Sequence, residues 1–268
     1  MKYLALGCSH GKIPKIKTKD FDSILYLGDS AGYQKARTLV NKWLKEVYNH
    51  GSSITFEQFV GRRIYSNLQK KEIENARKVI EYINSLNKKV YTLPGNWDYY
   101  KDRFHKYKKN YYKKVIIKNL SNVKDLHLKY TENKDHVIIG YGISTNSEIK
   151  TPFQYNYYFK RLKRLFIKAK KKKKPVIFIT HNQPYNTRFS RIRDKSSPVN
   201  GMEVGSNVAK DIIKKFKPLL CIGAHMHEHF GKIKVGKTTC ISAGYGMKGD
   251  KVLIDAGEKI NSIKFIRK

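Results

Sequence analysis

Side chains that bind metal ions stand at the ends of short apolar stretches along this sequence. Cys8 and His10 follow "KYLALG", Asp29 follows "SILYLG", Asn96 and Asp98 lie in "PGNWD", His181 closes "PVIFITH", and His225 and His227 end "LLCIGAHMH". Imidazole, carboxylate, amide and thiolate are the donors of zinc and transition-metal sites. Carboxyl ends of parallel strands share one edge of a sheet, so residues far apart in sequence would meet there. Each element alone has a plain structural reading. A strand-end His can serve packing, Gly28-Asp29 can open a turn, and "PGNWD" can be an Asx-type turn. Their recurrence at successive strand exits is what points to one site. The His-x-His spacing of His225 and His227 predicts two imidazoles on one side of an extended segment, with Met226 turned away.

The elements that must carry these residues read as βα units. "KYLALG", "FDSILYLGD" and "KKVYTLPGNWD" share a strand-then-glycine grammar. Between them, Ala36, Leu39, Val40, Trp43, Leu44 and Val47 recur at helical spacing, as do Ile73, Ala76, Val79, Ile80 and Ile83, with an interruption near Gly61. "KKVIIKNL", "VKDLHLKY" and "HVIIGYG" read as strands of an antiparallel portion. Thr151 and Pro152 can cap and open a helix burying Phe159, Leu162, Leu165, Phe166 and Ala169. Its lysine-rich end, "KAKKKKKP", reads as a solvated helix terminus. Gln183 to Gly205 lacks periodicity and is long for a connection, which predicts a loop beside the site. A helix around Val208 to Phe216 and a final meander, "KIKV", "TTCISAG", "KVLIDA" and "SIKFIR", complete an α/β chain read as one domain over 1–268.

Lys and Arg number 56 against 21 acidic residues, a formal charge of +35 over 268 residues. Charge of this size attracts polyanions, so nucleic acid, nucleotides and acidic lipid are candidate partners, and a compositional bias toward Lys is the alternative. Cys8, Cys221 and Cys240 form no disulfide or CxxC pattern, which together with the lack of a secretion signal predicts a reducing, cytoplasmic setting. No apolar run reaches the ~18 residues of a membrane span.

In their order and strand context, these motifs resemble the calcineurin-like metallophosphoesterase family. "CSH" stands at the family's D-x-H, Gly28-Asp29 at its G-D, "GNWD" at its G-N-H-D, His181 at its lone strand-end His, and "AHMH" at its G-H-x-H. The resemblance covers residues 3 to about 245. It implies a four-layer αββα sandwich with two mixed β-sheets and two divalent ions, manganese first, with zinc or iron as alternatives. It implies Asp29 as the bridging ligand, His10 and His227 on one ion, and Asn96, His181 and His225 on the other, so that Asp29, Asn96, His181 and His225 form the catalytic set. Two such ions about 3.5–4 Å apart clamp a phosphate and activate water for in-line attack. The implied function is metal-dependent phosphoester hydrolysis, expected on a phosphodiester in a nucleotide or nucleic acid. The alternatives are a scaffold that binds a protein partner or nucleic acid on the same fold, and a phosphomonoesterase.

The chain departs from the family pattern at several positions. Cys8 stands where the family has Asp, and it is either a thiolate ligand, favouring zinc or iron, or a buried thiol. Gly32 replaces a supporting Asp, and Ala224 a Gly. Trp97 replaces a His, and an indole cannot donate a proton as a general acid. Arg188, Arg191, Arg193 and Lys195 could contact phosphates, and Tyr99, Tyr100, Tyr107, Tyr111 and Tyr112 could stack on bases. An exposed basic loop and ordinary packing tyrosines are the alternatives.

Overall fold

The computed structural model describes residues 1–104, 107, 109–143, 151–195 and 197–267. Its strands are β1 (Lys2–Leu6), β2 (Ser23–Tyr26), β3 (Lys89–Thr92), β4 (Val123–Asp125), β5 (Tyr130–Glu132), β6 (Val137–Tyr141), β7 (Val176–Thr180), β8 (Leu220–Gly223), β9 (Phe230–Val235), β10 (Thr238–Ala243), β11 (Lys251–Ala256) and β12 (Ile260–Ile266). The helices are α1 (Gln34–His50), α2 (Phe56–Val60), α3 (Arg62–Ser85), α4 (Pro152–Lys171) and α5 (Asn207–Phe216).

Alternation along the strands sorts their side chains into layers. In β1, Tyr3 and Ala5 face one apolar cluster while Leu4 and Leu6 face another. Tyr3 and Ala5 meet Leu25, Leu27 and Tyr91 of the same sheet and Ile138, Ile177, Ile179 and Ile222 of a second sheet, so this cluster lies between the sheets. Leu4, Leu6, Ile24 and Val90 pack outward on Ile73, Ala76, Val79, Ile80 and Ile83 of α3. On the far side, Ile139 and Phe178 pack outward on Leu162 and Phe166 of α4 and Ile212 of α5. The result is an α/β sandwich of four layers, helix, sheet, sheet, helix.

Both sheets have six strands and are mixed, in the orders β12-β11-β1-β2-β3-β4 and β5-β6-β7-β8-β10-β9. β1 to β4 pair in parallel, as do β6, β7, β8 and β10; antiparallel strands close three of the four edges, and β4 is a parallel edge. The parallel blocks deliver five donor-bearing strand exits, those of β1, β2, β3, β7 and β8, to one rim of the sandwich. The final meander is divided, with β9 and β10 in one sheet and β11 and β12 in the other.

Two local expectations are corrected. "KKVIIKNL" forms no strand: Tyr112–Ile116 is a wide helical turn closed by the Ile117 N–H donating to the Tyr112 carbonyl at 3.0 Å. Tyr112 and Ile116 are four residues apart and both buried against α3, so helical spacing serves this segment better than alternation. The central strands are also less antiparallel than expected, because β4 pairs in parallel with β3 and only β5 opposes β6. The helix opened by Thr151 and Pro152 is present, with a reciprocal cap between Thr151 and Gln154. Replacing Thr151 by Ala should lower stability by about 1 kcal/mol, read as a lower urea midpoint with an unchanged slope.

Candidate metal centre

At the shared rim the chain leaves its strands in left-handed backbone. Cys8, His10, Asp29 and His225 have φ of 52°, 44°, 55° and 62°, conformations that cost side-chain-bearing residues free energy and persist when neighbours over-determine them. The exits are laced together: Cys8 N–H donates to Gly28 O at 2.8 Å, His10 N–H to Asp29 O at 3.0 Å, and Ala224 N–H to His181 O at 2.8 Å. Two glycines allow the approach. A Cβ on Gly95 would lie 2.1 Å from Asp29 Oδ1, and one on Gly28 would lie 2.5 Å from the Gly95 nitrogen.

This lacing brings donors from both sheets into two overlapping groups. Ligand atoms of Cys8, His10 and His227 lie within 4.8 Å of one another, and so do those of Cys8, Asp29 and His181. His10 and His227 face each other through their Nε2 atoms at 3.2 Å. His10 Nδ1 is 3.2 Å from Ala31 O and His181 Nδ1 is 2.7 Å from Leu27 O, so each Nδ1–H donates to a backbone carbonyl and each Nε2 turns toward the cluster. Metal-binding imidazoles are oriented in this way. Asp29 Oδ1 accepts the Trp97 N–H at 2.9 Å, while Oδ2 lies 3.4 Å from His181 Nε2 and 3.8 Å from His10 Nε2. Asn96 Oδ1 is 2.9 Å from His181 Nε2, and the His225 ring lies 5.0 Å from that of His181.

Electrostatics suit the donors to a cation. Burial lowers His10 to about 4 and His225 to about 3, and it holds His227 well below the usual imidazole range, so these rings stay neutral. Burial also works against a charged Asp29, but His181 and His10 outweigh it and keep the carboxylate ionised. For His181, burial is outweighed by Asp29 and its hydrogen bond, which raise it to about 9. Burial pushes the Cys8 thiol well above its ordinary range; its Sγ accepts the His225 N–H at 3.2 Å. Three neutral imidazoles, an amide, a thiol and one carboxylate, with several lone pairs converging, fit a divalent metal centre, and His181 would join them on giving up its Nε2 proton to a bound cation.

The family model for calcineurin-like phosphoesterases matches residues 1–229. The chain belongs to this family. No curated protein is similar enough in sequence to count as a relative. Among solved structures, one crystal structure is 19% identical, with 99% of this chain and 98% of that chain covered at a TM-score of 0.68. TT1561 of Thermus thermophilus is 15% identical over 99% and 98% at a TM-score of 0.58. These likenesses show the calcineurin-like fold, and family membership supports a metal-dependent phosphoesterase.

All seven expected donors, Cys8, His10, Asp29, Asn96, His181, His225 and His227, gather at the rim. The route of His225 and His227 differs from expectation. The segment is a turn with His225 left-handed and Met226 N–H donating to Ala224 O at 2.7 Å, because the chain must reverse from β8 into β9. Met226 lines the same cleft, which has a volume of about 690 Å³. The Gln183–Gly205 segment is a wall of this cleft, but it contributes Ile192, Asp194, Ser197, Pro198 and Val204 and none of its four basic residues. Arg191 pairs with Glu203 at 3.2 Å. Tyr99, Tyr100 and Tyr112 are buried in the packing against α3.

Two residues outside the seven donors shape the site: Asp98, which the sequence places among the strand-end polar residues, and Arg37, which it does not single out. Asp98 is fully buried and accepts the N–H groups of Asp29 and Gly95 at 2.7 Å, of Ser30 at 2.8 Å and of Ala31 at 3.0 Å, plus the Ser30 hydroxyl at 2.6 Å. Its place in "PGNWD" was the available signal. Arg37, in the first turns of α1, lies 5.7 Å over Trp97 and 5.5 Å over Tyr245, with Nη2 3.5 Å from His227 Nδ1. Nothing in its sequence context separates it from the chain's other basic residues.

Removing the Asp98 carboxylate should loosen Asp29. D98A is expected to bind divalent metal about 10- to 100-fold more weakly in chelator competition, with far-UV dichroism retained. Just beyond Asp98, Tyr99 donates a hydrogen bond to Glu72, a buried carboxyl that burial raises to about 7. The folded chain keeps this proton to higher pH than the unfolded chain, so the stability held by protonated Glu72 is lost as pH rises through about 7. E72Q, which cannot ionise, should gain stability relative to wild type between about pH 5 and about pH 8 in urea titrations. Parallel curves would contradict the raised carboxyl.

Proposed function

We propose that this chain is a phosphodiesterase acting on nucleotide or nucleic-acid substrates, with a pair of divalent ions held at the rim. The supporting observation is that two donor groups share Cys8, with the Asp29 carboxylate beside both. In this reading Asp29 bridges, Cys8, His10 and His227 serve one ion, and Asn96, His181 and His225 serve the other. When bound, such an ion pair supplies Lewis acidity to the phosphate and a nucleophilic water near neutral pH.

The chain's residues supply the rest. Asp29 is held by the Trp97 N–H on one oxygen, which leaves Oδ2 toward both groups. Neutral imidazoles and one amide leave most of the ions' charge for the substrate, whereas a shell of carboxylates would quench it. A thiolate at Cys8 favours zinc or iron over manganese. It also calls for a reducing, cytoplasmic setting, since oxidation would remove the donor. Trp97 cannot protonate a leaving group, which favours diesters whose leaving groups depart as stable anions. Residues 1–268 are read as one domain because β11 hydrogen-bonds to β1 in the sheet that carries Cys8 and Asp29. Among the described residues, no helix is long and apolar enough to cross a membrane.

Protein stripped of metal and reloaded with manganese, zinc or iron should hydrolyse bis(para-nitrophenyl) phosphate faster than the monoester. D29A and H225A should each lose about 100-fold or more of that turnover. Unchanged activity in both variants would overturn the mechanism, and a monoester preference would overturn the substrate class. C8D should shift the metal preference toward manganese; if C8D and C8A both match the wild type across metals, Cys8 is no ligand.

A further inference from the structure

The cleft over the metal centre does not end at Arg37. That side chain is a shared wall, and beyond it lies a second cavity of about 580 Å³ lined by Lys12, Gln34, Arg37, Tyr245, Met247 and Lys248. Half of the lining residues are cationic and none is acidic. Among the described residues, no ion pair engages Lys12, Arg37 or Lys248. Arg37 and Lys248 instead lie 5.5 and 5.9 Å over the Tyr245 ring. The acids sharing the next cavity with Lys248 are engaged elsewhere: Asp250 is held by Arg267 at 3.0 and 3.2 Å, and Glu228 accepts the Arg193 N–H at 2.8 Å. Cations gathered on one concave surface without a counter-charge favour an anion there.

The adjacency of this cavity to the centre gives the anion a role. Arg37 lines the metal cleft together with His10, Asp29 and Asn96, and it lines the second cavity with the two lysines. An anion in the second cavity would sit beside the phosphate under attack, on the far side of a guanidinium whose planar fork can donate to oxygens in both directions. Gln34 adds an amide donor. The Tyr245 ring, stacked on His227 at 4.0 Å, separates the cavity from the donor cluster.

We propose that this cavity is a subsite for a second phosphate of the substrate, adjacent to the one hydrolysed. The substrate then carries neighbouring phosphates, either along a short nucleic-acid strand or in the phosphate chain of a nucleotide. The proposal rests on the phosphodiesterase reading above, and it narrows that reading to polyphosphorylated substrates.

Equilibrium binding to the full chain, loaded with the metal that supports most binding, tests it through matched pairs. One pair is dithymidylate with and without a 5′-phosphate, and the other is thymidine diphosphate against the monophosphate. The wild type should prefer the extra phosphate about tenfold or more in at least one pair. The pair that shows the preference identifies the source. K12A/K248A should bring that ratio to near one, while K170A/K171A, which removes equal charge at the end of α4, should retain it. A ratio near one in both wild-type pairs overturns the subsite, as does an equal loss in K170A/K171A, which would make the preference one of bulk charge. Preference without hydrolysis by any metal form would leave the subsite standing and defeat the phosphodiesterase reading; hydrolysis without preference would do the reverse.

Discussion

The buried Asp98 carboxylate is the interaction on which the rest of the site depends. Its five accepted hydrogen bonds tie the exit of β2, through Asp29, Ser30 and Ala31, to the exit of β3 at Gly95. Backbone N–H groups leaving a strand have no ladder partner, and burying them unpaired would be costly. One carboxylate satisfies four of them and turns them toward a single point. Burial and the charge of Asp29 push the Asp98 carboxyl up, and the converging donors oppose that rise. Asp29 is thereby fixed in left-handed backbone with its own carboxylate facing the histidines.

The cost of the arrangement is distributed. Left-handed backbone at Cys8, His10, Asp29 and His225 is tolerated because each exit is tied to its neighbour by short backbone hydrogen bonds, and because Gly28 and Gly95 let two turns approach within the space a methyl group would fill. Sites built this way are preorganised, since donors held by backbone do not need to be gathered when a ligand arrives. The same closeness sets the protonation pattern. Neutral imidazoles crowd around one carboxylate, and the one imidazole whose pKa is raised, His181, is the one paired most closely with Asp29.

Around this centre the excess positive charge is not uniform in effect. Many of the lysines lie on exposed helix faces, including the end of α4, where they complement the helix dipole. None of the basic residues of the 183–205 loop lines the cleft, and Arg191 is paired with Glu203. Arg37 is different because α1 lays one face along the cleft, burying only Ala36 and presenting Arg37, Val40, Asn41, Leu44 and Lys45 to the space above the donors. A helix that covers a site rather than a core sets what the site admits.

Much of this was legible before folding. Periodicity located β1, β2, β3 and α3 and the residues that α3 buries. Polar residues recurring at successive strand ends pointed to the seven side chains that the fold gathers at the rim, because independent packing roles would not place them at one exit after another. Helical spacing of Tyr112 and Ile116 was hidden inside an apolar run that reads equally as a strand, and only packing against α3 decided between them. The turn at His225 was likewise invisible, since a His-x-His spacing carries no record of the reversal into β9. Cys8 was ambiguous by type, and its place between two donor groups is a property of five strand exits brought together. The role of Arg37 came last. One arginine among 56 basic residues has no local signature; what distinguishes it is its position over Trp97 and Tyr245, which depends on α1 crossing the rim. Sequence by itself determined the candidate donors and most of the elements that end at them, because local spacing encodes those. The tertiary structure alone decided which donors share a point and which cations face it, because those are distances between segments far apart in the chain.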